Sequence, residues 1–413
     1  MIIIRQITSN LTSIVYKIDL NCRIGYTFKM NNENLQIKFK RTIDDKIVEA
    51  FKKERMVLVF GARQIGKTTA CMAYFNTIKE VGTKVISGED NYIKEELGKC
   101  TEQSIKNIFG SATFILIDEA QNIPNIGSVL KLIYDIMPNI KVLATGSSAF
   151  GLASMTNESL AGRKESISAY ALTYQEMKRN TIFTYDKDLI EQTLLYGSYP
   201  KVLLAPDLER KKVILDELSE SYLYKDVLNF QGIRKSPVIA KLAQLLAFQI
   251  GQEVSLNEMA RQLGISNETV NKYINILEKS FIIFSLSAYS KNKRNEVSRN
   301  KKYYFWDQGI RNSIVNIFQD VHTRNDVGAL WESYIISEII KKAKLNNEFK
   351  GFYFWRNYSG QEVDLIIEKD GKINGYEIKY SKDTVGNKNS FREMYPDCTL
   401  EIINRDNFSS LLS

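Results

Sequence analysis

The stretch that decides the fold is VLVFGARQIGKTT, which runs from Val57 to Thr69. Its four leading apolar residues, Val57–Phe60, indicate a buried strand, and the glycines after them have the spacing G-x-x-x-x-G-K-T. Glycines in such a turn let backbone N–H groups approach phosphate oxygens, and the helix that begins there adds the positive end of its dipole. The pattern therefore predicts a loop that holds the phosphates of a nucleoside triphosphate.

The individual loop residues have expected tasks. Lys67 is expected to reach the β- and γ-phosphates, and the Thr68 hydroxyl is expected to ligate Mg²⁺. The predicted nucleotide-binding residues are Gly61, Ala62, Arg63, Gln64, Ile65, Gly66, Lys67, Thr68 and Thr69.

Two carboxylates follow a second apolar run. Thr113–Ile117 is almost wholly apolar and ends in Asp118 and Glu119. Acids after a buried strand are costly unless they lie at the carboxyl edge of a parallel sheet, where they face metal and water. Asp118 is therefore predicted to hold the magnesium ion, and Glu119 is predicted to be the base that orients the attacking water.

Another strand, Lys141–Thr145, leads into small polar residues. Thr145 or Ser147 is placed to hydrogen-bond the γ-phosphate or the attacking water, which is a sensor role. Small residues in an ordinary strand-to-helix turn explain either position equally well, so both interpretations stay open.

The length and composition of the chain limit the classes of protein to which it can belong. With 413 residues the chain exceeds one ordinary core, so two or three domains are expected. The net charge of +8 favours an anionic partner, with DNA the natural candidate, although lysine-rich solvated faces produce the same balance. The four cysteines lack metal or disulfide spacing, and His322 is the single histidine. No apolar run has the length of a membrane span, so we expect a cytoplasmic protein without membrane contact.

Four segments carry a family resemblance. GARQIGKTT, FILIDEAQNIP, VLATGSSAF and SLAGRKES, in this order, resemble the AAA-type P-loop ATPases of bacteria and archaea. The similarity is to the group whose ATPase domain precedes a conserved domain of unknown function, and it covers roughly residues 40–380. In that group the loop reads G-P-R-Q-V-G-K-T-T, and Ala62 stands here in place of the proline. The resemblance implies that the nucleotide is ATP and that the chain hydrolyses it.

The resemblance also implies a role for Arg163 in the LAGR segment. An arginine beyond the sensor strand can meet the γ-phosphate of its own or of a neighbouring subunit, where its charge favours phosphoryl transfer. The second case implies a homo-oligomer. A surface or interface arginine is the open alternative.

The middle of the chain predicts a winged helix-turn-helix. Ser255 to Glu258 is a capping box that opens a helix over Leu256–Leu263, and a glycine-containing turn leads to a second helix, Asn267–Lys279. Residues of the second helix that are predicted to face a nucleic-acid groove are Asn267, Thr269, Asn271 and Lys272.

A β-hairpin wing is expected after these helices. Phe281–Leu286 and Tyr303–Trp306 are its predicted strands, and the loop between them, Lys291 to Lys302, carries six basic residues against one acid. Contact with DNA phosphates is one interpretation, and packing or oligomer contact is the other. Residues 165–250 are expected to be helical.

The last segment has its own pattern of charges. A predicted amphipathic helix, Val327–Lys344, carries Glu332, a strand carries Asp364, and the paired strand carries Glu377 and Lys379 on one face. Strands are predicted over Phe352–Trp355, Glu362–Glu368 and Ile373–Tyr380. This order resembles the PD-(D/E)XK restriction-endonuclease-like nucleases.

That resemblance implies a metal-dependent site. Asp364 and Glu377 are then the magnesium ligands, Glu332 completes the shell, and Lys379 positions water or stabilises the phosphorane charge. Ordinary salt-bridged surface charges on a hairpin are the alternative. Folds of this type are also reused without catalysis, so fold and activity are separate expectations.

The predicted organisation is an α/β protein with a P-loop NTPase parallel sheet, a helical and winged-helix middle region and a restriction-endonuclease-like α/β C-terminal domain. Its expected parts are an N-terminal extension over 1–40, an ATPase domain over 41–180, a helical connector over 181–252, a winged helix-turn-helix over 253–308 and the nuclease-like domain over 325–413. Whether translation starts at Met1 or Met30 stays open.

The leading hypothesis is an ATPase that acts on DNA through its C-terminal domain. Its rivals are an ATP-gated switch with a catalytically inactive nuclease fold that binds DNA or protein, and a signalling ATPase of the STAND type. Magnesium-dependent cleavage of DNA separates the first hypothesis from the other two.

Overall fold

A computed structural model describes residues 39–78, 82–147, 160–180, 185–221, 236–290, 301–381 and 388–412. The predicted extension over 1–40 lies outside these ranges except for its last two residues. Within the described ranges, no helix combines the length and the apolar character needed to cross a membrane.

The first half of the chain folds around a five-stranded parallel sheet with the order β2-β3-β4-β1-β5. Its elements are α1 (Thr42–Lys53), β1 (Met56–Gly61), α2 (Lys67–Phe75), β2 (Thr83–Ser87), α3 (Asn91–Gly98), α4 (Glu102–Phe109), β3 (Phe114–Asp118), α5 (Ile126–Ile136), β4 (Lys141–Gly146) and β5 (Glu165–Ala169). The apolar runs of β1, β3 and β4 are buried in the centre of the sheet, as such runs predict. Because all strands are parallel, the ends of these three meet at one edge.

Strand β5 corrects the expectation that residues 165–250 are helical. It pairs with β1 from Val57↔Glu165 to Gly61↔Ala169. Two serines interrupt its apolar residues, so only Ile167 and Ala169 are buried. This alternation is typical of a half-buried edge strand, and it is too short to stand out as an apolar run.

A helical region and a hairpin form the middle of the chain. Its elements are α6 (Tyr174–Arg179), α7 (Asp186–Tyr196), α8 (Pro200–Leu203), α9 (Leu208–Glu220), α10 (Ser236–Phe248), β6 (Glu253–Val254), α11 (Leu256–Leu263), α12 (Asn267–Lys279), β7 (Ile283–Ala288), β8 (Lys301–Phe305) and α13 (Gln308–Ile314). Helices α11 and α12 have the predicted bounds, and Gly264 between them adopts a left-handed conformation with φ of 65°. Strands β7 and β8 pair antiparallel, with residues 291–300 outside the described ranges.

The C-terminal elements add four strands to the sheet that contains β6, β7 and β8. They are α14 (Val327–Leu345), β9 (Gly351–Arg356), β10 (Glu362–Lys369), β11 (Lys372–Ile378), α15 (Asn389–Met394), β12 (Thr399–Ile403) and α16 (Phe408–Leu412). Strand β9 pairs with β7 through Ser287↔Tyr353 and Ala288↔Phe354, which gives one seven-stranded sheet with the order β12-β11-β10-β9-β7-β8-β6. The sheet therefore crosses the boundary that was predicted between the hairpin and the last domain.

Helix α14 is buried on nearly all sides, so its prediction as an amphipathic helix was wrong. Its polar residues face partners inside the protein. Lys341 Nζ donates to Glu338 Oε1 at 2.8 Å, and the backbone N–H of Tyr174 donates to Glu338 Oε2 at 2.7 Å. The helix packs between the N-terminal half of the chain and the second sheet, and this position explains why its charges are internal.

The turn around Gly197 joins the N-terminal half of the chain to the hairpin. Leu172 N donates to Ser198 O at 3.0 Å, and Ser198 N donates to Asp307 Oδ2 at 2.8 Å. A Cβ on Gly197 would lie 1.9 Å from Asp307 Oδ1, so no larger residue fits there. Burial raises the pKa of Asp307 above its ordinary value, although the backbone N–H groups oppose the shift.

Candidate nucleotide site and carboxylate cluster

The predicted phosphate loop lies between β1 and α2, at the carboxyl edge of the first sheet. Lys67 is buried, and its Nζ donates to the carbonyl oxygens of Gly61 and Ala62 at 2.9 and 2.7 Å. A Cβ on Gly61 would lie 2.2 Å from Ala169 O, so the close approach of β5 requires glycine at this position. Gly66, with φ of 92°, begins the helix that follows.

The Asp118 carboxylate is shared by two threonines. Thr68 Oγ1 donates to Asp118 Oδ1 at 2.9 Å, and Thr145 Oγ1 donates to the same oxygen at 2.5 Å. Thr145 also accepts from the backbone N–H of Glu119 at 3.1 Å. Strands β3 and β4 are neighbours, and this pairing brings the predicted loop, acid and sensor residues together. The Thr68 hydroxyl and the Asp118 carboxylate are oxygen donors of the kind that Mg²⁺ prefers, so this pair fits the ion.

Glu119 adopts a left-handed backbone conformation, with φ of 48°. Gln121 Nε2 donates to Glu119 Oε2 at 2.5 Å and to Ser147 Oγ at 3.0 Å, and Ser147 N donates to Gln121 Oε1 at 3.3 Å. Gln121 was not predicted. Its place in the segment DEAQ was visible, but only the contact with β4 shows that it holds the Glu119 carboxylate.

Arg41 braces the phosphate loop and was also missed. Its guanidinium is buried, with Nη1 donating to Ile65 O at 2.7 Å and Nη2 donating to Tyr170 O at 2.7 Å. Its Nε lies 3.2 Å from Glu176 Oε1. These partners are 24, 129 and 135 residues further along the chain, so no local pattern indicated them.

Arg163 lies at the amino-terminal ends of the strands of the first sheet, at the edge opposite the phosphate loop. It precedes β5 by two residues and pairs with Asp135 near the end of α5, at 2.9 Å between Nη1 and Oδ1. The six-residue strand β1 separates this edge from the loop by about 20 Å. The interpretation that Arg163 contacts the nucleotide of its own subunit was therefore wrong, whereas contact with a neighbouring subunit stays a prediction.

The predicted residues of the C-terminal site converge on adjacent strands. Lys379 Nζ lies 3.1 Å from Asp364 Oδ2 and 3.0 Å from Glu377 Oε2, and Lys388 Nζ lies 2.6 Å from Glu377 Oε1. The backbone N–H of Ile378 donates to Asp364 Oδ2 at 2.7 Å. Burial acts to lower the pKa of Lys379, but the two carboxylates outweigh it and hold the pKa above its ordinary value.

Glu332 of α14 faces the same group of charges. Tyr304 OH donates to Glu332 Oε1 at 2.7 Å, and Lys302 Nζ lies 3.5 Å from that oxygen and also contacts Glu362. Burial raises the pKa of Glu332 to about 7, with Lys302 opposing the shift and Asp364 adding to it. We call the acids Glu332, Glu362, Asp364 and Glu377, with the lysines Lys302, Lys379 and Lys388, the carboxylate cluster.

The position of Lys302 corrects the prediction that it belongs to a basic hairpin loop. It was counted among the six basic residues of the hairpin loop, but it belongs to β8 and is only 1% exposed. The period of two in a strand turns it inward, toward Glu332 and Glu362. Residues 291–300 of that loop lie outside the described ranges.

Magnesium does not fit the carboxylate cluster in this arrangement. Carboxylate oxygens are suitable ligands, but three lysines already engage them. Across the part of the chain that the structure describes, no three Asp, Glu, His or Cys side chains converge on one metal position. The predicted ligands Glu332, Asp364 and Glu377 are thus gathered, but they face lysines.

The predicted groove-facing side of α12 is open to solvent. Asn267, Asn271 and Lys272 are exposed, and Thr269 is half-buried beside the helix cap. Apolar residues of the same helix, including Val270 and Ile274, are buried.

The geometry of the first sheet and its loop defines a P-loop nucleotide-binding domain. Residues 53–178 match the family model described as an AAA domain, and residues 187–321 and 327–406 match two domains of unknown function, DUF8612 and DUF4143. Residues 53–178 thus match AAA-type P-loop ATPase domains.

Similar proteins occur in bacteria and archaea. An uncharacterized protein of Mycobacterium tuberculosis is 26% identical over 345 residues, covering 82% of this chain and 74% of its own. One of Methanocaldococcus jannaschii is 25% identical over 363 residues, covering 82% and 78%. Among solved structures, a Walker-type ATPase of Pyrococcus abyssi aligns with a TM-score of 0.46 at 14% identity, covering 68% of this chain and 97% of its own.

Proposed function

We propose that the chain hydrolyses ATP at the phosphate loop and uses this reaction to control a C-terminal half that acts on DNA. One observation carries the first part. Asp118 Oδ1 accepts from both Thr68 and Thr145, and Glu119 follows directly on the same strand end. A metal-holding acid, a loop hydroxyl and a base beside it are the parts that phosphoryl transfer to water requires.

Each residue of the site has a task in this reaction. Lys67 exchanges its contacts with the loop carbonyls for the β- and γ-phosphates, and Glu119 orients the attacking water. Thr68 and Asp118 would hold magnesium, which, when bound, neutralises phosphate charge. Thr145 fixes the Asp118 carboxylate, which keeps this acid in place during the reaction.

Assembly of several subunits would give Arg163 a place in the reaction. Its side chain is 39% exposed at the sheet edge opposite the loop, so a neighbouring subunit is the partner it can serve. If so, Arg163→Ala lowers turnover without changing nucleotide affinity, and mixing it with Lys67→Ala protein restores part of the turnover. Unchanged turnover in Arg163→Ala would leave this residue a surface arginine.

The proposal for DNA rests on charge and on the exposed face of α12. The chain carries a net charge of +8, and Asn267, Asn271 and Lys272 point outward from a capped helix-turn-helix. Lys272→Glu should weaken binding and lower the slope of log affinity against log salt by about one, as loss of a phosphate contact does. Lys106→Glu, an exposed lysine of the ATPase domain, is the matched control. Equal slopes in both variants would remove α12 from the contact surface.

A second candidate is an ATP-gated switch without cleavage. It is favoured by the lysines that engage Asp364 and Glu377 where a nuclease would hold metal. One assay separates the candidates: ATP turnover is measured with and without DNA, and the DNA is then inspected for breaks with magnesium or manganese present. Breaks that disappear in Asp364→Ala, with ATP turnover retained, support the nuclease, whereas DNA-stimulated turnover on intact DNA supports the switch.

A further inference from the structure

Strand β8 connects the two sites of the molecule. It spans Lys301–Phe305, pairs with β7 on one side and with β6 on the other, and is followed directly by Trp306. Lys302 near its first end lies in the carboxylate cluster. Trp306 at its other end lies against the ATPase domain.

Three contacts lead from the phosphate loop to Trp306. Arg41 Nη1 donates to Ile65 O within the loop, and Arg41 Nη2 donates to Tyr170 O, both at 2.7 Å. The Tyr170 ring then lies 4.7 Å from the Trp306 ring, measured between centroids. The four residues of this path, from Ile65 and Arg41 to Tyr170 and Trp306, are all buried. A shift of the loop therefore cannot be absorbed by solvent-exposed side chains.

At the other end, Lys302 acts as a counter-ion. Its ammonium group contacts Glu362 and lies 3.5 Å from Glu332, and Tyr304 of the same strand donates to Glu332. A buried ammonium group needs such partners, because an uncompensated buried charge is strongly unfavourable. The same carboxylates can therefore face either Lys302 or a divalent cation, and the two cations compete for them.

We propose that Lys302 keeps divalent cations from Glu332 and Glu362 of the carboxylate cluster, and that nucleotide at the phosphate loop shifts β8 and withdraws Lys302 from these two acids. The second statement rests on the nucleotide binding proposed above. Both edges of the strand are paired and the Tyr304 ring stacks on Phe284 at 5.6 Å, so we expect its residues to shift together. A shift at Trp306 is thereby carried to Lys302, as small displacements are carried through packed elements with two arrangements.

The first test isolates Lys302 without nucleotide. Mn²⁺ is titrated into wild-type protein, Lys302→Met and Lys301→Met, with binding measured by electron paramagnetic resonance. Lys301 is the matched control, since it lies on the opposite face of the same strand. Lys302→Met should bind Mn²⁺ at Glu332 and Glu362 at least about tenfold more tightly than wild type does, a difference of about 1.4 kcal/mol. Equal Mn²⁺ binding in a folded Lys302→Met protein and in Lys301→Met overturns the proposal.

The second test uses the wild-type chain and so does not depend on the folding of a variant. Hydrogen–deuterium exchange is measured with and without a non-hydrolysable ATP analogue and magnesium. The expected result is a changed exchange rate for residues 301–306 together with protection of residues 61–69, with β12 at the far end of the same sheet unchanged. Lys67→Ala should abolish both changes.

The outcomes of this second test distinguish the two proposals. If residues 61–69 gain no protection, nucleotide does not bind there and the proposed function itself fails. If they gain protection while residues 301–306 exchange at the same rate, nucleotide binds without moving β8, and the coupling is overturned.

Discussion

The two acidic sites of this protein hold their carboxylates in opposite ways. At the phosphate loop, Asp118 accepts from the neutral hydroxyls of Thr68 and Thr145. In the carboxylate cluster, Asp364 and Glu377 pair with the ammonium group of Lys379. Neutral donors leave the negative charge of an acid available to a cation, whereas lysines neutralise it. The comparison teaches that residue type alone does not define a metal site, because the partners of the acids decide which cation they accept.

The largest effect that sharpens this comparison is expected at Lys67. Lys67→Ala removes the charge that meets the phosphates and should lower ATP turnover at least about a hundredfold, as loss of a transition-state donor does. Nucleotide binding should be nearly lost as well. Steady-state phosphate release and equilibrium binding measure the two effects, with Lys106→Ala on the exposed surface of α4 as the control. Turnover within twofold of the control would contradict the assignment.

Removing an acid from each site should affect stability differently. Asp364 is buried and accepts from Ile378 N, so Asp364→Ala leaves an unsatisfied N–H and should lower the free energy of unfolding by about 1–3 kcal/mol. Asp118→Ala should cost less, because the exposed Thr68 hydroxyl can bond to water and the buried Thr145 hydroxyl still accepts from Glu119 N. Urea denaturation measures both. A larger loss in Asp118→Ala would break the comparison between the sites.

A smaller effect is expected at Arg41, which supports the phosphate loop through hydrogen bonds. Arg41→Lys cannot bond Ile65 O and Tyr170 O at once, so turnover should fall about tenfold, corresponding to about 1.4 kcal/mol. Arg55→Lys is a matched control, since Arg55 donates to the carbonyls of Met137 and Tyr134 at the far edge of the sheet. Equal losses of turnover in the two variants would mean that Arg41 stabilises the fold and does not position the loop.

A further difference between the sites is expected in the pH dependence of stability. Glu332 has a pKa of about 7 in the folded protein against an ordinary value of 4.5, so between these values the folded state binds more protons than the unfolded state. Stability should therefore decrease as pH rises from 4.5 to about 7. Glu332→Gln should remove this component, which urea denaturation at both ends of the window detects. An unchanged pH slope in Glu332→Gln would show that another group is responsible.

Much of the first site could be predicted because its residues are contiguous. The loop from Gly61 to Thr69 and the acids Asp118 and Glu119 each follow a buried strand, and parallel pairing brings them to one edge. The order of charged residues likewise gathered Asp364, Glu377 and Lys379, since adjacent antiparallel strands place them side by side.

What could not be predicted depends on contacts between distant parts of the chain. Arg41 donates to Ile65 O in the phosphate loop and to Tyr170 O directly after β5. Neither partner belongs to a periodic pattern or a motif that includes Arg41. Lys302 belongs to a basic run in the sequence, and only the pairing of β7 with β9 brings its strand beside the carboxylates. Sequence periodicity indicates which face of an element is buried, but it does not identify the element packed against that face.

The most direct test of the central claim compares Glu119→Gln with Lys67→Ala. Nucleotide affinity and ATP turnover are measured for both variants and for the wild-type protein. Because only the water-orienting base is lost, Glu119→Gln should bind ATP with wild-type affinity and show no measurable turnover, whereas Lys67→Ala should lose both. Wild-type turnover in Glu119→Gln, or an equal loss of ATP binding in the two variants, would contradict the account of this site.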